Sequence, residues 1–176
     1  MKYGLLCACV ASMLVLAGCV STPAPTGDLT GAKTWMLTGK LGVRSREENA
    51  NLGIRWEQEG DAFRINLSGP LGLSVASIHG DADGVTLETS RGKTLTARDP
   101  DELVNVALGY RIPVRPMRYW VRGMAAPGAP WRGTDDGINQ LGWRIAWREW
   151  RDGRPTRMTF RLPGATLRLV VRSWDY

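Results

Sequence analysis

From Trp35 to the C-terminus the chain alternates apolar and polar residues, segment after segment. A period of two permits little besides half-buried strands. Trp35, Leu37, Leu41 and Val43 fall on one side of an extended segment, with Thr38, Lys40 and Arg44 on the other. Leu52, Ile54 and Trp56 alternate with Gly53 and Arg55, and Phe63, Ile65 and Leu67 with Arg64 and Asn66. The pattern returns at Trp143, Ile145 and Trp147, at Met158, Phe160 and Leu162, and at Leu167, Leu169 and Val171. Gly60-Asp61, Asp83-Gly84, Asp152-Gly153 and Pro163-Gly164 supply turns between such segments. Eight or more strands joined this way predict one antiparallel sheet, strongly curved or nearly closed.

The period changes in the middle. Asp99 reads as a helix N-cap and Pro100 as the first helical residue, while Asp101 and Glu102 suit the positive end of the helix dipole. Leu103, Val106 and Ala107 share a face, and Gly109 ends the helix. A second short helix is predicted to start around Pro116, with Met117, Trp120 and Val121 on one face and Gly123 at its end. Met124 to Gly137, rich in Pro and Gly, reads as a loop containing Trp131. Two helices are thus inserted into a sheet whose inner face is rich in Trp, Leu and Ile.

Ahead of the sheet, Lys2 precedes an apolar run from Leu5 to Ala17, too short for a membrane span of about 20 residues. Leu16-Ala17-Gly18-Cys19 looks like a bacterial lipobox, in which Cys19 is acylated and becomes the first mature residue. An ordinary signal peptide with an incidental cysteine is the alternative. The expected division is a signal peptide over 1–18, a lipidated N-terminus and flexible linker over 19–33, and one domain over 34–176. Residues 20–33, read as a coil, would hold their ends roughly 20 Å apart. Of the 3 cysteines, Cys7 and Cys9 leave with the signal and Cys19 carries lipid, so no thiol remains for a disulfide. Val20 stands where an aspartate would retain a lipoprotein in the inner membrane, which favours the outer membrane facing the periplasm.

Lys and Arg number 23 against 17 Asp and Glu. Export argues against nucleic acid as the partner. The basic balance fits an anionic lipid surface, an acidic protein, or simply a solvated face. Residues for catalysis are scarce. His79 is the only histidine, so neither a Cys-His pair nor a usual zinc site can be assembled. Asp81 and Asp83 lack the further ligands of a calcium loop, Asp135-Asp136-Gly137 reads as a turn, and no Gly-rich phosphate signature is present. No catalytic residue, metal or cofactor is expected. What stands out instead is Leu67 to Leu73. Gly69-Pro70 ends a strand and Gly72 permits a sharp turn, leaving Leu71 at the tip, either tucked under its own loop or exposed.

Six segments occur in a telling order: WMLTGKLGV (35–43), GPLG (69–72), LGYRIPV (108–114), YWVRG (119–123), QLGW (140–143) and LRLVVRSW (167–174). Together with the lipobox they resemble the LolB family, outer-membrane receptors of the lipoprotein localisation pathway. The resemblance implies an unclosed antiparallel β-barrel with a short helical lid over an apolar cavity, a fold shared with LolA. It implies that acylated lipoproteins arrive from the periplasmic carrier LolA and are inserted into the outer membrane without nucleotide. The protein would be a monomer, tied to outer-membrane lipid through Cys19 and touching the bilayer through Leu71. Candidate cavity residues are Ile54, Trp56, Phe63, Ile65, Leu103, Val106, Met117, Trp120, Trp143, Ile145, Trp147, Met158, Phe160 and Leu169. A sheet under helices would bury the same residues in a solid core. Trp147, where the family pattern suggests a tyrosine-like residue, and the many arginines are departures. The alternative is a structural or assembly lipoprotein of the envelope that binds another protein through its basic surface.

Overall fold

Each alternating segment forms a strand, and the strands join edge to edge in one sheet. The computed structural model describes residues 33–45, 49–103 and 112–176. The expectations for Cys19, Val106, Ala107 and Gly109 lie outside the described residues. The strands are β1 (Thr34–Ser45), β2 (Asn49–Glu59), β3 (Ala62–Ser68), β4 (Ser74–Gly80), β5 (Val85–Thr89) and β6 (Thr94–Ala97), followed by β7 (Trp131–Thr134), β8 (Gly137–Gln140), β9 (Trp143–Arg151), β10 (Arg154–Leu162) and β11 (Ala165–Asp175). Their order across the sheet is β6-β5-β4-β3-β2-β1-β11-β10-β9-β8-β7. Neighbours are antiparallel throughout. β6 and β7 remain as edges, so the barrel is unclosed.

The inner face follows from the register. Leu95, Leu87, Ile78, Ile65, Trp56 and Leu37 oppose one another in turn from β6 to β1. On the other half, Leu41, Leu169, Met158 and Trp147 do so across β1, β11, β10 and β9. A slip of one residue in any pair would turn its apolar set to solvent, so burial of one face specifies the pairing.

The helices connect the two edges. The chain leaves β6 at one edge and re-enters at β7 at the other, and of the described residues between them Leu103, Val114, Met117 and Trp120 are buried in the apolar cluster of the sheet. α1 begins at residue 100, and residues 100–103 of it are described. The Asp101 N–H donates to the Asp99 carboxylate at 2.7 Å, which is the cap the sequence calls for. α2 spans Val114–Trp120, starting two positions before the expected Pro116. Proline fits the third helical position because amides of the first turn have no partner within the helix.

One expectation fails. Met124 to Gly137 is not all loop, since Trp131–Thr134 forms edge strand β7, with Trp131 opposite Gln140 and Thr134 opposite Gly137. Its residues are mostly exposed and carry no alternation, so nothing in their pattern marks a strand. Backbone pairing to β8 alone creates it.

Candidate functional site

The β3–β4 connection is short and closed by its own backbone. The Gly69 N–H donates to the Leu73 carbonyl at 2.8 Å, and the Gly72 N–H to the Gly69 carbonyl at 3.3 Å. Pro70–Gly72 make a 3-10 turn between them. Leu71 sits at its apex with φ of 63° and is 97% exposed, and Leu73 beside it is 69% exposed. Of the two dispositions open to this leucine, the structure has the exposed one.

The interior candidates come together in one cluster. Ile54, Trp56, Ile65, Leu103, Met117, Trp120, Trp143, Ile145, Trp147, Met158, Phe160 and Leu169 are buried in it, and Phe63 packs against it half-buried. They are not held alike. Trp120 of α2 is fully buried, its ring 6.3 Å from Trp143 and 6.5 Å from Phe160 between centroids. Its indole Nε1 donates to the Gln140 side-chain oxygen at 2.7 Å. That oxygen also accepts the Ala126 N–H at 2.8 Å, while Gln140 Nε2 donates to the carbonyls of Ala126 at 2.7 Å and Ala129 at 3.0 Å. A glutamine amide has two donors and two acceptor sites, and all four are used. Trp147 Nε1 donates to the Trp120 carbonyl at 2.8 Å, which ties α2 to β9.

The opposite flank of α2 is looser. Between α2, the start of α1 and the β2–β3 and β4–β5 turns lies a cavity of about 170 Å³. Trp56, Phe63, Pro100 and Val114 give it an apolar lining, and Gln58, Asp61, Asp81, Arg115 and Arg118 add polar groups. Gln58 is itself buried. It accepts from Trp56 Nε1 at 3.1 Å and donates to the carbonyls of Gly60 at 2.9 Å and Ala62 at 3.2 Å. Arg118 Nη1 donates to the Asp61 carboxylate at 2.7 Å and Nη2 to the Tyr119 hydroxyl at 3.2 Å. The bond from Arg118 holds the Asp61 carboxyl below its ordinary 3.8. Burial works against the Arg118 charge, but its bonds to Asp61 and Tyr119 outweigh that and raise its pKa. Arg118 Nε is buried without a hydrogen-bond partner among the described residues. The volume is close to that of an engineered apolar cavity of about 150 Å³ that takes up benzene. It has room for a few carbons of chain.

Reading the sequence missed Gln58 and Gln140, although both sit in inward slots of their strands. A polar residue where the period demands an apolar one was the available signal. Nothing local announces the Arg118–Asp61 pair, whose members are 57 positions apart. His79 lies on β4 opposite Arg64 and Thr86, and no group of three or more His, Cys, Asp or Glu able to hold a metal occurs among the described residues.

Residues 33–174 match the family model described as Outer membrane lipoprotein LolB. The chain is similar to an Outer-membrane lipoprotein LolB of Alkalilimnicola ehrlichii, 30% identical over 99% of this chain and 98% of the relative. Proteins of the same name from Cellvibrio japonicus and Chromohalobacter salexigens are each 32% identical. They cover 95% and 96% of this chain, and 96% and 94% of the relatives.

Proposed function

The chain belongs to the LolB family, and from that premise we propose how this outer-membrane lipoprotein receives and delivers its cargo. It is anchored by lipid in the outer membrane and acts in lipoprotein localisation. Cys19 carries the anchor. The cargo is an acylated lipoprotein handed over by the periplasmic carrier LolA, and its chains enter between α2 and the β2–β4 side of the sheet. The small cavity lined by Trp56, Phe63 and Val114 is where the first carbons lodge, and the rest of the inner face is uncovered as the chains advance. Arg118 Nε, buried without a partner, is a donor that an ester or amide carbonyl of the acylated cysteine can accept. No covalent step is involved, and no residue is assigned a catalytic role.

The observation that carries the delivery step is Leu71, 97% exposed at the apex of its turn. Burying one leucine contributes only about 1.5–3 kcal/mol. Each buried methylene of an acyl chain contributes about 0.8 kcal/mol, so Leu71 adds little to membrane attachment. Its role is local, to enter the lipid beside the exit and give departing chains an apolar path. The test mixes cargo-loaded carrier with the full-length protein in liposomes. Leu71→Glu should fold normally and accept cargo but fail to release it, because a charge is costly in lipid. Leu71→Ile should release like the wild type. A glutamate variant that releases at the normal rate, or one that loses stability and acceptance together, overturns this role.

A further inference from the structure

Among the described residues only three non-glycine residues have positive φ: Leu71 at 63°, Leu141 at 52° and Asp152 at 50°. In this left-handed region Cβ crowds the following carbonyl, and Gly, Asn and Asp are the residues that tolerate it. Asp152-Gly153 obeys that rule at the β9–β10 turn. Leu141-Gly142, with φ of 52° and 78°, makes the β8–β9 turn in the same primed geometry, where Asn-Gly is the favoured pair. Leucine is a poor choice there for folding. Nor is it there for packing, since Leu141 is 50% exposed and the neighbouring Trp131 is 53% exposed.

Topology puts both misfit leucines at one end of the sheet. β1 runs toward that end, where Ser45 opposes Ala165, and β3 runs the same way up to Ser68 before the Leu71 turn. Gln140 of β8 opposes Trp143 of β9 at that end, with Leu141-Gly142 between them, and Trp131 lies opposite Gln140. Exposed Arg44, Arg91, Lys93 and Arg132 lie at this end too, in no ion pair among the described residues; among those residues Glu88 is the carboxylate near them, and Glu47 and Glu48 fall in the sequence between β1 and β2. Four strands separate β3 from β9, so the two turns stand about 29 Å apart measured along the sheet.

We propose that the β8–β9 tip, Leu141 with Trp131, is a second lipid contact that touches the same bilayer surface as Leu71. Two small apolar points on either side of the sheet, with exposed cations at the same end, suit a plane bearing anionic headgroups. One point lets the domain pivot, whereas two hold the open end of the sheet against the lipid. The anchor permits this although β1 starts at the far end. The twelve residues of β1 span about 36 Å, and residues 20–33 reach at most about 50 Å when extended. The inference shares its plane with the Leu71 reading but is carried by different residues.

The experiment uses the full-length lipidated protein in liposomes of phosphatidylethanolamine and phosphatidylglycerol containing nitroxide-labelled lipid. An environment-sensitive fluorophore is placed through Leu141→Cys, Leu71→Cys or, at the far end, Asp83→Cys. Quenching at 141 and 71 but not at 83 is the expected result. Quenching at 71 alone overturns the second contact and leaves the Leu71 reading standing. Quenching at neither tip overturns both, and equal quenching at all three overturns the fixed orientation. A response at 141 that appears only when cargo-loaded carrier is added assigns the tip to a protein instead and overturns the lipid contact. In a companion assay, Leu141→Asn suits the turn better and should not lower the unfolding temperature. Its release of cargo should fall about three- to tenfold, the worth of half a leucine in lipid. Unchanged release overturns the role in delivery.

Discussion

On its β8–β9 flank, α2 is held by the Trp120–Gln140 bond, the Trp147–Trp120 bond and a stack of buried rings, while the other three bonds of Gln140 fix the segment after the helix at Ala126 and Ala129. On its β2–β3 flank it is held by Arg118 reaching an exposed carboxylate, Asp61, across a cavity. The first set lies in a dry interior, where a broken bond leaves a buried group unsatisfied. The second is open to water, which replaces a lost ion pair at little cost. The helix therefore has a fixed side and a side that can part. On the proposed route, chains would enter where the cavity already exists.

Removing Gln140 is the strongest way to break this comparison. Gln140→Leu orphans the Trp120 indole, the Ala126 amide and two carbonyls, and should destabilise the protein by about 3–5 kcal/mol. Thermal unfolding followed by circular dichroism should shift down by roughly 10–20 °C. A shift of only a degree or two would mean that this flank is not the fixed one.

Trp147→Phe removes one bond and part of a ring while keeping the site apolar. The expected loss is about 1–2 kcal/mol in denaturant unfolding, with cargo acceptance retained. Acceptance that rises sharply in this variant would place the opening on the β9 side instead.

Asp61→Asn should have the smallest effect on stability and the clearest effect on rate. Unfolding should hardly move, while uptake of a fluorescent fatty-acid probe should quicken. The pH dependence has a definite sign. Arg118 lowers the Asp61 pKa, so the contribution of the pair is present above 3.8 and is lost as pH falls through the lower folded value. Uptake should not vary near neutrality through this pair, and acceleration on acidification should begin below 3.8. Unchanged uptake in Asp61→Asn would show that the ion pair does not restrain the helix.

Alternation by itself determined which residues face inward, because one-sided burial admits a single register for each strand. The same pattern determined the sheet and, with Asp99 and Pro100, the place where the helices interrupt it. It did not reveal β7, whose four residues pair through backbone alone, nor that α2 begins at Val114. Leu71 was legible as a tip residue, but its exposure depended on a backbone that closes on itself through Gly69 and Leu73. Leu141 gave no local sign, since Leu-Gly becomes a left-handed turn only when β8 and β9 meet at that register. Gln140 and the Arg118–Asp61 pair likewise acquire their roles only once distant strands lie beside α2. Periodicity is a property of neighbours along the chain, whereas hydrogen bonds, cavities and shared ends of a sheet belong to residues brought together by folding.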